Sequence, residues 1–157
     1  MKALMDGLTR AAVLLAAVSL LLIAAVQLWQ VYARYVLNDS PGWSEPVALL
    51  LMNTALFCGA AVGVRREQHF SFSLLQDAAP PALQRWLRSL SQVVVGALGA
   101  LLVWGGGVLY AADADVAIAG TSLSEGARYL PLCVGGALMS LFALERLWLI
   151  WQSPEDR

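Results

Sequence analysis

Four stretches of this sequence are apolar for long enough to cross a lipid bilayer, and that property decides what the chain can fold into. They run over about 11–33, 46–64, 91–112 and 129–151. An α-helix rises 1.5 Å per residue, so about 20 residues traverse a hydrocarbon core of about 30 Å. Only 13% of the residues are charged and 59% are hydrophobic, whereas a soluble domain carries about a quarter charged. The expected fold class is therefore all-α integral membrane, a single domain over 1–157 with four transmembrane helices.

The first block follows Lys2 and Arg10, a pattern shared with secretory signals. It runs uninterrupted from Ala11 to Val26, however, and continues to Tyr32 with only Gln27 and Gln30 intervening. It reads as a retained first span. Between the second and third spans, Phe70–Asp77 is too short and too polar to cross, and Pro80-Pro81 breaks the chain. Leu83, Trp86, Leu87 and Leu90 then recur at helical spacing opposite Gln84, Arg85 and Arg88. This predicts an amphipathic interfacial segment over 70–90, its arginines reaching water or headgroups. Ala55, Gly59 and Gly63 form a small-residue ladder that predicts close helix packing on the second span.

Four spans put both termini on one side. Eight of the ten basic residues (Lys2, Arg10, Arg65, Arg66, Arg85, Arg88, Arg146 and Arg157) fall on that side, and only Arg34 and Arg128 fall on the other. The positive-inside rule makes the termini cytoplasmic and turns the 34–45 and 113–128 loops outward. Arg65, Arg66, His69, Arg85 and Arg88 then form a cytoplasmic interface, with Glu145 and Arg146 as further anchors.

Several chemistries are disfavoured. A net charge of −1 offers no basic surface to nucleic acid. Cys58 and Cys133 lie in apolar runs without CxxC spacing and read as packing thiols. One histidine, His69, supplies neither a zinc cluster nor a pair of haem ligands. No charged residue lies in the middle of a span, so no ion path runs through this chain. No nucleophile with its base, and no phosphate-cradling loop, is present. The chain is not expected to be an enzyme or to hold a cofactor.

The remaining polar residues gather around the first outer turn, Arg34–Glu45. Gln27, Gln30 and Arg34 lie at i, i+3 and i+7, on one face of the first helix. Glu45 begins the antiparallel second helix level with Arg34, and Asn53 lies level with Gln27. This predicts an Arg34–Glu45 ion pair and a Gln27–Asn53 hydrogen bond. Pro46 is expected as the first helical residue, capped by Ser44 or Glu45. These groups either clamp the hairpin or face a larger partner.

Arg34-Tyr35-x-x-Asn38, Trp43-Ser44-Glu45, Gly59-Ala60-Ala61, and Arg65 with His69 resemble the small membrane subunit (DctQ-like) of tripartite ATP-independent periplasmic (TRAP) transporters. Gly120-Thr121-Ser122, Tyr129 and Gly135 fit the same pattern more loosely. Pro46 stands where the family often has a second acid, and Pro131 lies near, not at, the position of a family proline, where this chain has Cys133. The resemblance implies a non-catalytic scaffold in the bacterial inner membrane, packed against a large elevator-type permease that carries the substrate and sodium sites. It also implies a periplasmic substrate-binding protein, which Asp39, Asp113, Asp115 and Glu125 are expected to help dock. The competing reading is a standalone tetraspan structural or regulatory protein.

Overall fold

The computed structural model describes residues 2–39, 41–66, 80–117 and 124–152. Over these it forms four long α-helices: α1 (Lys2–Tyr35), α2 (Ser44–Arg65), α3 (Pro81–Ala112) and α4 (Leu130–Gln152). A short 3₁₀ helix, Glu125–Tyr129, leads into α4. All four long helices are apolar enough to cross a membrane, and the chain is an all-α, four-span membrane protein. We call the end where α1 begins and α4 finishes the terminal end, and the opposite end, with the α1–α2 turn, the hairpin end.

In space α1 packs on α2, α2 on α4, and α4 on α3. Lipid tails are as apolar as leucine, so helices associate there through close packing, not through escape from water. The α3–α4 contact follows that rule. A Cβ added at Gly99 would lie 2.5 Å from Ser140 Oγ and 2.7 Å from the Gly136 carbonyl oxygen. Ser140 Oγ donates to the Gly96 carbonyl at 3.1 Å. At the α2–α4 contact Gly135 faces the Cβ and backbone of Phe57 and leaves no room for a side chain.

The small-residue ladder of α2 packs only in part. Gly63 is buried, yet a Cβ at Gly59 would meet nothing within 4 Å, and Ala55 is half-buried. Each four-residue step advances about 40° around a helix. The three positions therefore drift off a common face, and the tightest glycine contacts belong to α3 and α4.

The amphipathic stretch also departs from expectation. Residues 81–90 are the first turns of α3, which continues through Leu90 and Ser91 without a break. Pro80 is extended, with φ −62° and ψ 151°, and Pro81 opens the helix; nothing after it interrupts the helical pattern. Residues 70–79 of the expected interfacial segment lie outside the described residues. The 32 residues of α3 span about 48 Å, more than the hydrocarbon core needs. Trp86 and Trp151 stack edge to face at the terminal end, with ring centroids 6.0 Å apart. Trp29, Tyr32 and Tyr35 are exposed at the other end, so aromatic belts mark both boundaries.

The tightly packed core sits in the terminal half. Met5, Ala61, Val64, Val95, Phe142 and Ala143 form one buried cluster, with Ala12, Cys58 and Val62 in a second. Both cysteines are free thiols, and Cys133 lies against Gly106 and Val103. Toward the hairpin end α1 and α2 part around a groove.

Candidate functional site

That groove has a volume of about 540 Å³, and its polar lining is Gln27, Gln30, Arg34, Tyr35 and Glu45, with apolar side chains such as Ile23 and Met52 deeper in. The face drawn from the i, i+3, i+7 spacing is thus real. The expected pairs are not formed. Among the described residues Arg34, Glu45, Gln27 and Gln30 make no side-chain hydrogen bond or ion pair, and Gln27 does not reach Asn53. Matching heights along two antiparallel helices fixes depth but not the width of the gap between them. The gap here is open, and Arg34 and Glu45 are exposed.

The turn above the groove is built by backbone geometry. Asn38 has φ 51°, in the left-handed region that asparagine tolerates better than most residues. The Asp39 amide returns to the Ala33 carbonyl at 3.1 Å, which closes the end of α1. α2 begins at Ser44, two residues ahead of Pro46. Trp43 occupies the cap position without a side-chain cap bond. Ser44 is fully buried, and its hydroxyl donates to the Pro41 carbonyl at 2.8 Å, so it braces the turn and does not cap the helix.

At the terminal end, side chains assigned separately to the interface meet in one cluster that is buried except at Asp6. Arg65, the last residue of α2, donates from Nε to Glu145 Oε2 at 3.0 Å, from Nη1 to Thr9 Oγ1 at 2.7 Å, and from Nη2 to Asp6 Oδ1 at 2.6 Å. Its guanidinium also lies over the Phe142 ring, 5.7 Å from the centroid. Thr9 Oγ1 in turn donates to the Met5 carbonyl at 2.9 Å. Arg146 closes the set, donating from Nε and Nη2 to the Arg65 carbonyl. The side chains of Arg65 and Glu145 are only 17% and 7% exposed. Arg65 and Glu145 are therefore not anchors reaching into water: they tie α1, α2 and α4 together. Asp6 and Thr9 were missed. The available signal was Glu145 itself, an acid within an apolar helix, which demands a buried partner.

Arg66 is exposed, Arg85 and Arg88 are half-buried on the first turns of α3, and His69 lies outside the described residues. On the hairpin side, two of the four acids expected to be open for docking are already engaged. Asp113 Oδ2 accepts from Tyr129 Oη at 3.2 Å, and Glu125 pairs with Arg128. Asp39 and Asp115 are exposed. The start of the 3₁₀ helix is tied to the end of α3 by Glu125 N–H to the Val116 carbonyl, 2.7 Å, and Gly126 N–H to the Asp113 carbonyl, 3.0 Å.

A four-span helical membrane protein with a cross-linked terminal end and an open polar groove is the class these features define. Residues 23–153 match the family model for the DctQ component of tripartite ATP-independent periplasmic transporters. The chain belongs to that family and is a transporter subunit. It is similar to the sialic acid TRAP transporter small permease protein SiaQ of Vibrio cholerae serotype O1, at 34% identity over 82 residues. The aligned part covers 52% of this chain and 47% of that relative, so the match spans about half the relative's length.

Proposed function

We propose that this chain is the non-catalytic scaffold subunit of a sodium-coupled secondary transporter that imports an organic acid. In this reading it packs against a large elevator-type permease subunit, which holds the substrate and the sodium, and works with a periplasmic substrate-binding protein. The chain sits in the bacterial inner membrane with both termini cytoplasmic, an orientation supported by the eight-to-two distribution of basic residues. Sialic acid, for which that relative is named, is a carboxylic acid and supports the substrate class.

One observation carries the scaffold reading: the unpaired polar groups of the α1–α2 groove. Gln27 and Gln30 lie on the outer part of a span, where lipid offers no hydrogen-bond partner and unsatisfied polar groups cost several kcal/mol. Arg34 and Glu45 stand at its rim. A protein surface that supplies the missing partners relieves that cost, and a large permease subunit is the partner the family supports.

The test replaces Arg34 and Glu45 by leucine, singly and together. Neither residue has a side-chain partner among the described residues, so helicity and thermal stability of the isolated subunit in detergent should stay unchanged. Co-purification with the large subunit should fall about tenfold or more, consistent with loss of charged hydrogen bonds across an interface. If the isolated subunit instead loses stability while association is retained, the groove is an internal clamp and the scaffold reading loses its support.

A further inference from the structure

A second cleft, of about 450 Å³, lies at the terminal end between α1, α2 and α4, where Arg10, Arg65, Arg66 and Arg146 are set against Asp6 and Glu145. Among the described residues, four guanidinium groups facing two carboxylates leave two positive charges in excess. Both carboxylates are engaged by Arg65. Arg10, on α1, and Arg66, just after the end of α2, are exposed and make no side-chain hydrogen bond or ion pair among the described residues. Leu149, which lines the cleft, lies two residues before Trp151, one of the aromatic pair at the terminal end. Immediately beyond the cleft, Leu14 and Leu21 continue the Arg10 face of α1 into the apolar span, at i+4 and i+11, and both are exposed.

Cations that converge at a bilayer boundary, directly above an exposed apolar stripe, match one ligand in both charge and shape. We propose that the cleft binds an anionic phospholipid, its phosphodiester held between Arg10 and Arg66 and its acyl chains running along Leu14 and Leu21. Guanidinium groups bind phosphate oxygens through paired, charge-assisted hydrogen bonds. Arg65 engages both carboxylates of the cleft, Glu145 and Asp6, and so offsets their charge beside the headgroup. The site requires only the membrane position of this chain and does not depend on the transport partner.

The experiment uses the full chain purified alone in detergent, with native mass spectrometry to follow retained lipid. Phosphatidylglycerol and phosphatidylcholine are supplied in equal amounts, and inorganic phosphate is supplied in a separate arm. The wild-type chain should retain phosphatidylglycerol in preference to phosphatidylcholine. Arg10→Gln and Arg66→Gln should each weaken retention about fivefold, and the double variant about thirtyfold, as expected for one basic side chain apiece at an anionic surface. Arg10→Lys with Arg66→Lys should restore most of the binding. Because both arginines are exposed and unpaired, circular dichroism should show the same helicity in every variant. Equal retention of the two lipids, or undiminished phosphatidylglycerol binding in the double variant, would overturn the proposal. So would displacement of the lipid by millimolar phosphate, which would mark a site for a soluble anion. Because the large subunit is absent, failure here leaves the scaffold reading untouched.

Discussion

Arg65 shows how a charged side chain at the end of a span can be misread from its position. The order of four spans puts it at the same end as the termini, but says nothing of its burial. Its three donors reach Asp6, Thr9 and Glu145, residues far away in sequence, and only the folded bundle brings them together. The arrangement predicts an asymmetric response to mutation. Arg65→Met leaves Glu145 buried without its cation and should cost about 3 kcal/mol, the lower end of the range for breaking a buried pair because Arg65 keeps some exposure. Adding Glu145→Leu to that variant should recover a large part of the loss. Chemical unfolding in detergent micelles checks this; equal losses that simply add would contradict a direct pair. Asn38 offers the opposite lesson. It stood out as part of a family pattern, and the structure supplies its physical reason in the left-handed backbone at the head of the hairpin. Tyr129 and Gly135 gain reasons in the same way, one from its bond to Asp113 and the other from its contact with Phe57.

At the level of the helices, the number and approximate positions of the spans were readable because apolar length alone sets them. Their ends were less readable. α2 starts before its proline because the turn bracing Ser44 lies upstream of it, and α3 absorbs the amphipathic stretch because nothing between Leu90 and Ser91 breaks a helix. Packing faces were harder still, since a small-residue repeat is visible in sequence while the neighbour it meets is not. Two substitutions separate the alternatives. Gly135→Ala and Gly99→Ala each push a methyl group into a neighbouring helix and should destabilise the isolated subunit by about 1–3 kcal/mol. Gly59→Ala enters open space, where the gain in helix propensity is about 1 kcal/mol, and should be neutral or stabilising. Thermal melts of the three variants in one detergent make the comparison; a Gly59→Ala variant as damaged as the others would contradict the packing described.

For the molecule as a whole, the two ends differ in kind. At the terminal end Arg65 ties α1, α2 and α4 together beside Phe142, whereas at the hairpin end α1 and α2 part around a groove whose polar side chains Gln27, Gln30, Arg34 and Glu45 make no bond among the described residues. The sequence located those groups on one face but paired them with each other, because residue spacing conveys depth without conveying separation. An end that is incomplete in isolation fits a subunit that is finished by its neighbour. At the hairpin end Asp39 and Asp115 are the exposed members of the four acids proposed to meet a binding protein. Reversing both to lysine should slow substrate capture at low salt by several-fold and matter little at high salt, because exposed charges steer encounter and are screened by ions. Stopped-flow association of the binding protein with the assembled transporter reads this directly, and an unchanged rate at low salt would remove these two residues from the docking surface.

Reconstitution into vesicles with an imposed sodium gradient tests the central claim most directly. This chain alone should move no labelled carboxylate, and uptake should require the large subunit and binding protein together with it. Sodium-driven accumulation by vesicles containing only this chain would contradict the account.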